Sequence, residues 1–585
     1  MKSQRILADF FRKSWYIYAF SIMFHLVANV FHVFFPKLLG QFTDKLSIEG
    51  LSSDMILQYS ALLLLVGVGH VIFNGVAMYL IMRVGRKFEY IVRGRLFRHF
   101  TSLSERFYSK NGVGKLLSYF MNDVTAVRES ISMGINQAAN ATILLVSTVS
   151  MMLIIGIPFY LILASVVPIL FIPIIVTTLG PLIKQRSRRV QEALGKMTET
   201  AEEQFGGIRV TKKFAVEPIM NGRFGGTVDN IRQEQLRLVR VSSFFQALIP
   251  FLGTISLVIA LAFGGYLTIN NQISIGNFVS LTLYIRMLMN PLQQIGNVIN
   301  SIQRSRASLE RLNELLSTTS EIIELEQPKQ VEFQRSPIVI SSLNFSYRST
   351  AAPVLKDINL NITPGMTVGI IGRTGSGKTT LMKLLLRTYD APAGTIFIGG
   401  EDIRQLSLKD LRTGIGYVPQ DGFLFSTSLR DNIAFFDRSS DLKEVQEAAR
   451  QAQIYDNIVA LPDQFETKLG ERGLTLSGGQ RQRTSLARGL ITKAPILILD
   501  DSVSAVDAVT ESKIIDSIKK ERRGKTTIII AHRISAIKHA DEIIVMDEGE
   551  IVGRGTHKQL LKEDGLYAQL YAIQKEGDYN AASAT

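Results

Sequence analysis

The chain has no cysteine in 585 residues. That excludes disulfides, zinc–thiolate sites and thiol nucleophiles; it fits a reducing compartment or deliberate removal of cysteine. Nor is a removable leader expected. MKSQRILADFFRKSW carries basic residues but no short apolar run ending in small residues, so an amphipathic lead-in helix on a membrane face is expected there instead. Acidic residues are outnumbered, 51 against 65 lysines and arginines, for a formal charge of +14. Such a balance suits nucleic acid or anionic lipid, and the position of the basic residues decides between them.

Hydrophobic residues make up 46% of the chain and mean hydropathy is +0.18, too apolar for an ordinary soluble protein and too long for one domain. The apolar residues gather in runs at 16–39, 55–84, 134–183, 244–269 and 275–298. Roughly 20 residues cross a bilayer core, so the run from 134 is two spans broken near Gly156-Ile157-Pro158, and six spans are expected. Buried helices of a soluble protein would need a charged face that these runs lack.

Basic residues flank the spans. Arg83, Arg86, Lys87, Arg93, Arg95 and Arg98 follow the second, and Lys184, Arg186, Arg188 and Arg189 follow the fourth, which places those segments and the N-terminus in the cytoplasm. Both segments have helical character, interrupted at KNGVGK (110–115) and KKFAVEPIM (212–220). Arg286 sits inside the last span, where a charge normally faces a polar cavity or a partner, and it is expected to face a translocation pathway. His25, His32 and His70 read as satisfied interhelical histidines.

Composition turns polar over 318–337 and then alternates short β-branched runs with helical segments, the pattern of a layered α/β domain. The expected organisation is a transmembrane domain at 1–317 with two long cytoplasmic segments, a linker at 318–337, an α/β domain at 338–575, whose motifs below mark it as nucleotide-binding, and a flexible tail at 576–585.

In the second half, Gly372-Arg373-Thr374-Gly375-Ser376-Gly377-Lys378-Thr379, followed by Thr380, lies between an apolar strand and a helical pattern. Glycines there let backbone N–H groups close on phosphate, Lys378 pairs with the outer phosphates and Thr379 reaches magnesium. The apolar run at 496–499 delivers Asp500 to the magnesium shell. Leu476-Ser477-Gly478-Gly479-Gln480 opens a further helix as a second anion nest; one phosphate loop does not need two nests, so this one should serve a nucleotide held by another chain.

These residues together resemble the ATP-binding cassette family, and the likeness covers the whole chain as a half-transporter of the exporter type. It implies that Tyr347 stacks on adenine, that Gln420 senses magnesium and contacts the membrane domain, and that His532 is a switch histidine. Ser504 to Asp507 would form a dimer-contact loop, and 110–124 with 212–222 would be the coupling elements. Two departures stand out: Lys468 where an acidic residue is common, and Asp501 where the attacking water's general base is usually glutamate. Withdrawing a carboxylate by about 1.5 Å misplaces a base that must reach its water. The resemblance therefore implies MgATP binding with slow hydrolysis at this chain's own loop, an intact LSGGQ lent to a heterodimeric partner with a glutamate, lipophilic drugs as substrates, and a bacterial cell membrane as location. Other readings are a homodimeric lipid or lipopeptide flippase and a nucleotide-gated channel or sensor; a nucleic-acid ATPase is opposed by the spans.

Overall fold

A computed structural model describes residues 4–50, 52–347, 352–470, 473, 476–504 and 506–583. The chain divides into two compact units, one running through Ser102 with Asn111–Thr319, the other comprising Leu103–Lys110 with Ser320 onward.

The first unit is helical. Its main helices are α1 (Gln4–Glu49), α2 (Ser53–Ser102), α4 (Ile135–Ile154), α5 (Phe159–Gly206), α6 (Glu217–Ile269) and α7 (Ile275–Ser317), while the short α3 (Glu105–Asn111) belongs to the second unit. At about 1.5 Å per residue, the 50-residue α2 is more than twice as long as a bilayer core is thick. The break expected near 156–158 falls between α4 and α5, at Gly156 (φ 82°). Among the described residues, five helices are long and apolar enough to cross a membrane. The sixth expected span, on α7, falls outside that measure because Arg286, Asn290 and neighbouring polar residues dilute its apolar content.

The helices are tied by buried side-chain bonds: Tyr284 Oη donates to the Val33 carbonyl at 2.8 Å, and Ser280 Oγ to that of Pro36 at 2.8 Å. His25 Nε2 lies 2.5 Å from Asn136 Oδ1, and His70 Nδ1 lies 3.0 Å from the Ala28 carbonyl. In a medium without water, such polar groups find partners across helices.

The expected interruptions occur at Gly112 (φ 67°) and at Ala215 (φ 51°), the latter between the short helix Ile208–Phe214 and α6. Leu103–Lys110 belongs to the second unit although it lies between two parts of the first in sequence. Glu105 pairs with Lys383 at 2.5 Å and Arg106 with Glu321 at 2.9 Å; no local pattern announces these partners, which lie more than 200 residues away.

The second unit is α/β. An antiparallel sheet orders β2 (Leu355–Ile362), β1 (Ile338–Phe345), β4 (Ile396–Ile398) and β5 (Glu401–Asp402). A six-stranded sheet runs β10 (Glu550–Gly555), β9 (Glu542–Asp547), β3 (Thr367–Gly372), β8 (Thr526–Ile530), β7 (Ile496–Asp500), β6 (Ile415–Val418), parallel from β9 through β6. β7 and β8 are buried along their whole length, as continuous β-branched and leucine runs require when both faces are covered. The last helix continues to Ser583, into the segment expected as a tail.

Candidate active site

Ligands of open parallel sheets bind beyond the carboxyl ends of the strands, and here four neighbouring ends converge. β3 runs into the loop at Gly372, β8 leads to His532, β7 ends at Asp500 and β6 leads to Gln420. Together they line a cleft of about 350 Å³ that contains Thr374 through Thr380, Gln420, Asp500, Asp501 and His532. Residues drawn from more than 150 positions of sequence meet because their strands are adjacent.

The loop needs its glycines. Gly375 and Gly377 hold φ of 84° and 96°; a Cβ on Gly372 would stand 1.9 Å from the Met546 carbonyl, and one on Gly377 2.6 Å from Leu355. α8 (Lys378–Leu385) starts directly after it, directing unpaired N–H groups at the cleft. Lys378 is 6% exposed, and its Nζ donates to the carbonyls of Gly372 and Arg373 at 2.9 Å each and to Ser376 Oγ at 3.3 Å. Burial pushes its ammonium below the usual lysine range, against the pull of Asp501 and Asp500. A phosphate entering the loop would relieve that desolvation.

Asp500 is 1% exposed. Its Oδ1 accepts from Thr379 Oγ1 at 3.4 Å and its Oδ2 from Tyr417 Oη at 3.0 Å. Burial raises its pKa and the Asp501 charge adds to the rise, while the two hydrogen bonds and Lys378 oppose it. Asp501 adopts a left-handed φ of 47°, a region aspartate enters more readily than most residues. Its backbone is held at both ends: the N–H donates to the Ile530 carbonyl at 2.9 Å, and its carbonyl accepts from Gln482 Nε2 at 2.6 Å and Ser504 Oγ at 3.0 Å. Its carboxylate accepts a long 3.4 Å bond from Gln420 Nε2.

Tyr347 donates from its hydroxyl to Thr380 Oγ1 at 3.1 Å, beside the end of the loop, and its ring packs edge-on to Tyr389 at 5.1 Å. His532 is exposed, with its carbonyl accepting from Gln574 Nε2 at 2.7 Å. The Leu476–Gln480 stretch stands apart from the cleft lining. It opens α9 (Gly478–Leu490) with a capping box in which Ser477 and Gln480 satisfy each other's backbone N–H groups. Gly478 is exposed, with open space around its Cβ position. In the loop from Ser504 to Asp507, Ala505 lies outside the described residues; Asp507 caps the following helix through Thr510 N at 2.9 Å. The departure at Lys468 lies on a bridge to Ser428.

Tyr417, Gln482 and Gln574 were not anticipated. Gln482 did leave a trace, a polar residue among the apolar positions of RQRTSLARGL; it is 5% exposed. Tyr417 left none, being one aromatic in a short strand.

The chain is 36% identical over 569 residues to the probable multidrug resistance ABC transporter ATP-binding/permease protein YheI of Bacillus subtilis, covering 97% of each. The chain belongs to the ABC transporter family. Models for the ABC transporter transmembrane region and for the ABC transporter match residues 18–292 and 355–504. An ATP-dependent lipid A-core flippase of Syntrophus aciditrophicus is 34% identical over 85% of this chain and 82% of its own. The fold matches a bacterial Atm1-family ABC exporter with ATP bound, at a TM-score of 0.77 and 24% identity over 98% of this chain and 100% of that one. This is thus an ABC exporter half-transporter, a multi-pass membrane protein whose helical domain precedes an α/β ATPase domain that couples ATP hydrolysis to transport.

ABC cassettes use ATP with magnesium, and the donor set here fits: hydroxyl, carboxylate and amide oxygens of Thr379, Asp500 and Gln420 share one cleft, the hard donors that Mg²⁺ prefers. Bound there, the ion would neutralise charge on the outer phosphates.

Proposed function

We propose that this ABC half-transporter works as one side of a heterodimeric multidrug exporter, resembling BmrC of the BmrCD pair, in a bacterial cell membrane with its N-terminus and cassette in the cytoplasm. Tyr347 stacks on adenine, Gly372 through Thr380 hold the phosphates, and Thr379, Gln420 and Asp500 hold magnesium. Leu476 to Gln480 completes the site of a partner that carries a glutamate, and His532 contacts the outer phosphate. Nucleotide binding draws the two cassettes together, and the helical domains switch the access of lipophilic substrates across the membrane.

One observation carries the reading: the clamped backbone of Asp501. A short carboxylate could regain its reach only if the backbone advanced, and three hydrogen bonds to Ile530, Gln482 and Ser504 oppose that movement. An aspartate displaced by about 1 Å from its water loses on the order of a hundredfold in rate. This chain's own loop therefore binds MgATP and turns it over slowly.

The test is MgATP hydrolysis in lipid by the chain alone, by the chain with its partner, and by Asp501→Glu in each. Activity confined to the pair, raised about tenfold or more at this site by Asp501→Glu, is the expected result. Brisk turnover by the lone chain, unmoved by Asp501→Glu, would replace the heterodimer by a homodimeric exporter of drugs or lipids. Uphill transport in sealed vesicles separates a pump from a nucleotide-gated channel.

A further inference from the structure

The membrane runs at 16–39, 55–84, 134–183, 244–269 and 275–298 contain no aspartate and no glutamate. Three basic residues interrupt them: Lys37 and Arg83, each within three residues of the end of its run, and Arg286. Arg286 stands eleven residues into α7, roughly 16 Å along the helix at about 1.5 Å per residue, close to the middle of a bilayer core about 30 Å thick.

α7 turns one face inward. Leu281, Tyr284 and Ile285 are 0% exposed and Leu288 1%. Arg286 is on the other face and exposed, with Thr282 and Asn290 four residues to either side and so on the same side of the helix. Among the described residues it has no ion-pair or hydrogen-bond partner. A guanidinium is highly unfavourable against hydrocarbon, so this face meets water or another molecule. Asp44, the acid next to the outer end of the first run, is already engaged by Ser274 Oγ at 2.7 Å and Gly276 N at 2.6 Å. The chain's own spans cannot neutralise Arg286; its counter-charge comes from outside.

We propose that Arg286 is the substrate-selecting residue of the transport pathway and that the counter-charge is the anionic group of an amphiphilic substrate. A planar guanidinium binds carboxylate, sulfonate or phosphate in a two-point fork, with the exposed Asn290 four residues further along the same face; the Thr282 hydroxyl is spent on the Val279 carbonyl at 2.7 Å. Amphiphilic anions are then favoured over neutral analogues of the same size, and lipophilic cations are disfavoured. The proposal rests on the exporter reading.

The experiment uses the full transporter in nanodiscs and three fluorescent amphiphiles of one scaffold bearing a sulfonate, no charge or a quaternary ammonium. Equilibrium binding is measured for the unmodified protein, Arg286→Gln and Arg286→Lys. The expected result is an affinity order of anion, neutral, cation, an anion-to-neutral ratio that falls about tenfold in Arg286→Gln, and partial recovery of that ratio in Arg286→Lys, which restores the charge but not the fork. An unchanged ratio in Arg286→Gln overturns the proposal. So does a transporter that fails to assemble as Arg286→Gln, which would give Arg286 to a carboxylate of the partner chain. ATP-driven uptake of the neutral probe into inside-out vesicles tests the exporter reading separately: Arg286-dependent binding without uptake would sink that reading and leave the recognition standing.

Discussion

The phosphate-binding loop and the Leu476–Gln480 helix start are built from the same parts, glycines and a hydroxyl ahead of a helix, yet the fold treats them differently. The loop is closed: Lys378 is buried and bonded to its own turn, and a methyl group on Gly372 or Gly377 would strike Met546 or Leu355. At the other nest Ser477 and Gly478 are exposed, and among the described residues a Cβ added to Gly478 would meet nothing within 4 Å. The first is a closed cradle within one chain. The second is folded and capped at the surface, its Ser477 and Gly478 exposed among the described residues.

The contrast breaks most sharply at Lys378. Lys378→Ala should weaken MgATP binding at this chain's loop by on the order of a hundredfold, measured with a fluorescent nucleotide on the detergent-solubilised chain. An unchanged affinity would mean the loop's backbone alone holds the phosphates.

Two alanine substitutions sharpen it. Gly377→Ala imposes a side chain on a φ of 96°, so the cassette should lose about 1–3 kcal/mol of stability and melt several degrees lower by calorimetry. Gly478→Ala lies at a helix start with open space among the described residues; its melting temperature should stay the same or rise slightly, while hydrolysis by the assembled transporter falls. Equal losses of stability in both variants would erase the distinction between a closed nest and an open one.

The smallest effect concerns pH. Burial raises the Asp500 pKa, and magnesium requires the carboxylate, so protons compete with the ion as pH falls through that raised value, above the ordinary aspartate range near ~3.9. The Tyr417 bond lowers the Asp500 pKa; Tyr417→Phe should move the acid loss of magnesium-dependent nucleotide binding to higher pH. A shift to lower pH would show that desolvation is not what governs this carboxyl.

Much of this protein was legible in its residues because the signals are local. A run of about 20 apolar residues can only lie in a membrane or a core, and strand, glycine loop, lysine and helix make a phosphate site within a dozen consecutive positions. The two-domain order, the loop, Asp500 and the capped LSGGQ helix therefore follow from the chain alone. The sixth span was harder to weigh, since α7 is apolar on one face only, and the membership of Leu103–Lys110 in the second unit was not legible, because nothing in Glu105 or Arg106 announces Lys383 or Glu321. Tertiary structure alone decided that β3, β8, β7 and β6 lie side by side, that Tyr417 and Gln482 reach the two aspartates, and that Asp501 is locked in a left-handed turn. Strand order and long-range hydrogen bonds join residues tens to hundreds of positions apart, and local propensity carries no record of which distant partner fills the space across the sheet.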